Sequence, residues 1–153
     1  MFLTKDIGEE INGRRIHVVV VGFEDRISVN VHSEGRIGRM YYVSLQSSNI
    51  PQLHPVGFED GGSFASESTE TELFPLPHLT PVPLIGSDID DTSGRLYSTL
   101  IASMISRQSP EENRTVVVGL AGDIGPREGA SVTKDHRKEL LDIIKLVQQC
   151  KVW

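Results

Sequence analysis

Cysteine is nearly missing from this sequence. Cys150 is the only one, so no internal disulfide can close and a thiolate zinc site has no second sulfur. Long apolar runs are missing too. None approaches the roughly 20 residues that span a bilayer, which excludes a transmembrane helix. The opening MFLTKDIGEE has no basic stretch followed by an apolar one and reads as neither a secretory signal nor a transit peptide. Without such a signal, the sequon Asn113-Arg114-Thr115 is not expected to be glycosylated. The expected compartment is therefore reducing and intracellular: the cytoplasm, with the nucleus also open.

Basic charge is scarce as well. Of the net charge of −6, residues 46–80 carry −5, from Glu59, Asp60, Glu67, Glu70 and Glu72 with no lysine or arginine. The remainder is close to neutral. It has no basic stripe to release counterions from nucleic acid and no polybasic patch for anionic lipid, so neither is an expected partner. Catalytic signatures are also absent. No Gly-x-Ser-x-Gly elbow occurs, and the glycine-rich stretch 119–125 is not followed by a P-loop lysine. His17, His32, His54, His78 and His136 show no ligand spacing. No catalytic residue, metal or cofactor is expected.

The 153 residues suit a single domain, 1–153, around one core. Asn12-Gly13 is the preferred pair for a two-residue hairpin turn and joins a weak strand over 5–11 to a strong one over 15–21. A third strand, 26–32, alternates: Ile27, Val29 and Val31 against Ser28, Asn30 and His32. A fourth follows over 38–45, with Arg36 and Arg39 read as solvated charges flanking the turn. From 46 to 80 periodicity disappears among prolines, glycines and serines, which predicts a flexible acidic insertion. A proline-flanked edge strand over 82–85 comes next. Then follow a helix over 94–107 capped by Thr92 or Ser93, a strand over 115–120, and a helix over 134–150. Leu96, Leu100, Ile101, Met104 and Ile105 form the first helix's stripe. Leu140, Leu141, Ile144 and Val147 form the second's, widened by Ile143 and Leu146. The predicted class is α+β: a mainly antiparallel β-meander sheet with two helices packed on one face and the opposite face forming a dimer, in the order β-β-β-β-loop-β-α-β-α.

The dimer expectation has a physical basis. Ile16, Val18 and Val20 oppose Val19 and Val21 on one strand, and Val116 and Val118 oppose Val117 on another. Strands apolar on both sides are normally covered on both sides. A helix is about 10 Å across and strands lie roughly 4.8 Å apart, so two helices cover about four strands of one face. The other face needs a second polypeptide. Ser28, Asn30 and His32 make that contact patch mixed rather than uniformly apolar. Val18, Val19, Val21 and Val117 are the candidate contact residues, the sequence leaving open which set faces outward. Trp153 joins them as a candidate anchor, although a terminal tryptophan more often packs on its own domain. Cys150 is expected as a buried small hydrophobe.

The stretch from His17 to Val31, with Gly35 and Gly38 ahead of Tyr42-Val43-Ser44-Leu45-Gln46-Ser47-Ser48, resembles the proteasome assembly chaperone 3 family. So does the ending Ile144-Lys145-Leu146-Val147-Gln148-Gln149-Cys150-Lys151-Val152-Trp153, in which cysteine, one residue, valine, tryptophan is the most specific piece. Pro83-Leu84-Ile85-Gly86 and residues 116–120 fit in order and spacing, while residues 46–80 and 121–130 are longer and more acidic. The resemblance implies a non-catalytic chaperone of 20S proteasome alpha-ring assembly. It implies a heterodimer with proteasome assembly chaperone 4 that binds alpha-type subunits, alpha-5 among them. Two alternatives stand beside it. One is a generic homodimeric adaptor, the isolated chain pairing with itself. The other is a haloacid-dehalogenase-type phosphatase, because Asp88-x-Asp90-x-Thr92 after an apolar strand resembles that family's first motif, with Asp123 and Lys134 as later members. That motif needs a parallel sheet with alternating helices, and acidic residues ahead of a helix N-terminus are the plainer reading.

Overall fold

A computed structural model describes residues 2–46, 74–86, 91–126 and 130–153. The strands are β1 (Leu3–Ile11), β2 (Arg14–Gly22), β3 (Arg26–His32), β4 (Arg39–Ser44), β5 (Val82–Ile85) and β6 (Thr115–Leu120). The helices are α1 (Thr92–Gln108), between β5 and β6, and α2 (Lys134–Gln149) after β6. Asn12 and Gly13 both adopt positive φ, 51° and 78°, as the two-residue hairpin between β1 and β2 requires. The α+β class and the element order follow the sequence reading. No helix among the described residues is long and apolar enough to cross a membrane.

The sheet is not a simple meander. Its order is β1-β2-β3-β6-β4-β5. β6 lies between β3 and β4, parallel to β3 and antiparallel to β4, so the third and fourth strands never pair. Every other pairing is antiparallel. β5 and β6 run in the same direction with β4 between them, and α1 is the crossover that joins them.

Both helices lie on one side of the sheet. α1 packs against β4 and β6, α2 against β1 and β2. The side chains pointing at them are fully buried: Ile16, Val18 and Val20 of β2, Ile27, Val29 and Val31 of β3, Val116, Val118 and Leu120 of β6, and Tyr41 and Val43 of β4. α1 is buried continuously from Tyr97 to Ile105, more than a two-layer packing demands. Residues 74–80 cover its outer side. Leu79 is buried, Leu76 packs against the core, and the Leu76 N–H donates to Ser103 Oγ at 2.9 Å. The buried serines Ser98 and Ser103 are satisfied by donating to the carbonyls of Gly94 and Thr99, at 2.7 and 2.6 Å.

Several expectations are corrected here. The region read as a loose insertion through residue 80 rejoins the core at its C-terminal end; residues 47–73 lie outside the described residues. Leu96 is half-exposed and leaves its stripe to Tyr97. The axis of the α2 face runs through Ile143, Leu146 and Val147, with Leu140 and Leu141 at its margin. α1 starts earlier than expected because Asp91 caps it: the Gly94 N–H donates to its carboxylate at 3.0 Å. α2 is capped by Thr133. Thr133 Oγ1 accepts from the His136 N–H, and His136 Nδ1 accepts from the Thr133 N–H.

Ile143→Ala and Leu79→Ala should each destabilise by about 2–5 kcal/mol, the usual range for truncating a buried aliphatic side chain. Exposed Lys145→Ala should stay within about 0.5 kcal/mol of wild type. Denaturant titration checks all three; a neutral Leu79→Ala would contradict the packing of residues 74–80 on α1.

Candidate partner-binding face

The β2, β3, β6, β4 and β5 registers place three rows of side chains on the face that carries no helix. Across strands that face aligns Val21, Ser28, Val117, Tyr42 and Val82. The next row holds Val19, Asn30, Gly119 and Met40, and the last pairs His17 with His32. Val19, Val21, Val117, Met40 and Tyr42 are half-buried, although no second layer among the described residues covers them. Leu84 on β5 is 51 % exposed and lines a depression of about 280 Å³ with Tyr42 and Val117. Ile37, in the loop before β4, leans over Gly119: a Cβ added to Gly119 would lie 3.2 Å from Ile37 Cγ2. Apolar side chains of β2, β6 and β4 flank the polar Ser28 and Asn30 of β3 on this face, and charged residues lie toward its edges, Arg26 at one end of β3 and Asp6 and Arg15 near β1. A mixed patch of apolar groups with a charged rim matches the make-up of a protein–protein contact.

The five contact candidates are divided between the two sides of the sheet. Val19, Val21 and Val117 share the helix-free face. Val18 is fully buried beneath the helices, so it is core and cannot meet a partner in the folded chain. Its register neighbours Val31 and Ile7 fix that assignment, Val31 fully buried and Ile7 packed against the core. Trp153 also lies on the helix side. It packs against the core, its Nε1–H donates to Gln108 Oε1 at 3.2 Å, and its neighbour Val152 lies against Gly22. Cys150 is buried, and burial pushes its thiol pKa up.

Asp88 and Asp90 lie outside the described residues. Their neighbour Asp91 is committed to structure: it caps α1, pairs with Arg39 and accepts from the Tyr41 hydroxyl. Asp123 is engaged by Arg14 and by Ser33 Oγ. The antiparallel β4 between β5 and β6 also separates the strand ends that a phosphatase site would bring together. Among the described residues no three histidine, cysteine or acidic side chains are grouped to hold a metal ion. A second concavity of about 900 Å³ opens between the N-termini of the helices, with Leu96, Val132 and Leu140 in its wall.

Arg39, expected as a solvated charge, is instead nearly buried, with 11 % of its side chain exposed against 10 % for Asp91. It also donates to the Ile124 carbonyl, tying β4 to α1 and to the turn after β6. A second tie runs through buried Glu139 of α2, which accepts from Arg14 Nη2 at 3.0 Å and from the Gly125 N–H at 3.1 Å.

In fold, the chain is similar to a chain in the crystal structure of a novel chaperone complex for yeast 20S proteasome assembly. The TM-score is 0.58 at 13 % identity, and 97 % of each chain is covered. At this identity the likeness is one of fold. No family model and no curated protein matches the sequence.

Burial raises the pKa of the Asp91 carboxyl, but hydrogen bonds from Tyr41 and the Gly94 N–H and the charge of Arg39 outweigh it, so the group titrates below the usual aspartate value. A carboxylate depressed on folding adds stability above its unfolded pKa of about 3.9, and this is lost as pH falls through the folded value. Asp91→Asn keeps a capping side chain but leaves Arg39 without its carboxylate. It should cost about 3 kcal/mol or more at pH 7. In denaturant melts from pH 7 to pH 2, the gap between wild type and variant should hold down to about pH 4 and shrink below it. A gap independent of pH would contradict the pairing.

Proposed function

We propose that this chain is a non-catalytic chaperone of 20S proteasome assembly that works by laying the helix-free face of its sheet against a second polypeptide. The observation that carries this reading is the half-buried apolar group Val19, Val21, Val117, Met40 and Tyr42 on a sheet whose two described helices both lie on the other side. Its match in fold, over nearly all of both chains, to a subunit of a chaperone complex for yeast 20S proteasome assembly supports the choice of process. The partner is a co-chaperone of related fold, of the proteasome assembly chaperone 4 kind, and the pair holds alpha-type subunits, alpha-5 among them, while the alpha ring forms. The work is done in the cytoplasm, and in the nucleus where proteasomes assemble there. Such a task needs surface and no reactive group, consistent with Asp91, Asp123 and Glu139 all being engaged in ion pairs.

A charge on the open face should block pairing without unfolding the chain. Val19→Glu and Val117→Glu should keep the wild-type circular dichroism spectrum and lose at least about tenfold in affinity for the co-chaperone, since a carboxylate buried without a partner is strongly unfavourable. Val18→Glu, one residue away and facing the helices, should unfold the chain. Co-purification with the co-chaperone and alpha subunits reads the outcome, and full capture by both folded variants would exclude the face.

A further inference from the structure

Strand β3 runs through the helix-free face as a polar stripe between apolar neighbours. Val19 and Val21 of β2 flank it on one side, and Val117 of β6 with the overlying Ile37 on the other. The stripe is held from within. Asn30 Nδ2 donates to Ser28 Oγ at 3.2 Å, and the Gly35 N–H donates to His32 Nδ1 at 3.1 Å. With Nδ1 accepting, a neutral His32 ring carries its proton on Nε2. The ring stacks on that of His17, centroids 5.6 Å apart.

Gly119 is the register partner of Asn30, and a Cβ added there would stand 2.5 Å from Asn30 Oδ1. The amide therefore lies in the space that a glycine leaves open. Among the described residues nothing else hydrogen-bonds that amide, so its Oδ1 and one N–H are left for water in the free chain. We infer that the Ser28–Asn30 pair is the specificity element of this face, admitting a partner that presents a hydrogen-bonding side chain opposite Asn30 and disfavouring purely apolar surfaces. This rests on the proposal that the face receives a polypeptide. Its logic is the asymmetry of the hydrogen bond: a made bond adds little, whereas an amide stripped of water and left unpaired costs roughly ten- to a hundredfold in affinity. Single polar groups in apolar contacts set register and partner choice elsewhere by the same means.

Two substitutions test it. Asn30→Val removes the amide and keeps a strand-forming side chain; Gly119→Ala keeps the amide and pushes it out of place. Affinity for the co-chaperone is measured by titration calorimetry, and retention on a phenyl resin reports adhesion to a purely apolar surface. Both variants should fold, and both should bind the co-chaperone about ten- to a hundredfold more weakly than wild type. Asn30→Val should also be retained longer on the resin. Asn30→Thr, which restores a hydroxyl, should recover part of the affinity. If Asn30→Val binds the co-chaperone as tightly as wild type while Val19→Glu and Val117→Glu do not bind, the specificity role is wrong and the face stands. If those glutamates are also harmless, the face falls and this inference with it.

Discussion

The insertion of β6 between β3 and β4 is the constraint on which the rest of the structure depends. It gives β3 a parallel neighbour, β6, on one side and antiparallel β2 on the other, with Ile27, Val29 and Val31 fully buried under the helices. It brings Val117 beside Tyr42 and Gly119 beside Asn30, joining what would be two narrow strips into one helix-free face. It also commits α1 to cross from β5 to β6 on the side where α2 already lies. Both helices are used on that side, so among the described residues the half-buried valines on the other have no cover.

Polar chemistry in the molecule is spent on holding this arrangement. Arg39 and Asp91 join β4 to the start of α1, while Glu139 and Arg14 join α2 to the first hairpin and to the turn after β6. Buried pairs of this kind add little net stability compared with apolar packing, but losing one member leaves an isolated charge in the core. They therefore lock the ends of the elements in place. Asp91 and Asp123, beside the motif that could have suggested catalysis, are used in this way, and what the described residues turn outward is a surface of valine, tyrosine and methionine crossed by the polar strand β3.

Much of this was legible in the sequence where the signal is local. The Asn12-Gly13 turn, the alternation of Ile27, Val29 and Val31, and the helical stripes of both helices are periods and turn chemistry that neighbouring residues encode by themselves. The strand order was not legible, because period says that a segment is a strand and not which strand it lies beside. The burial of Arg39 was hidden for a similar reason: its partner Asp91 is 52 positions away. In β2 and β6 both faces are apolar, so Val18 and Val19 look equivalent until the helices are in place. Leu79 was concealed by the prolines around it, which mark a loop but do not prevent a loop from packing. Asn30 ran against the expected apolar pattern of the open face, and the sequence showed that departure without showing that Gly119 makes room for it.

The most direct measurement is methyl NMR of the valine-labelled chain, with a soluble paramagnetic agent, before and after the proposed co-chaperone is added. The methyl groups of Val19, Val21 and Val117 should be relaxed by the agent in the free chain and protected in the complex, while those of Val18, Val20, Val116 and Val118 should be shielded in both states. Protection confined to the outer surfaces of α1 and α2, with Val19, Val21 and Val117 still open to the agent, would contradict a partner seated on the helix-free face.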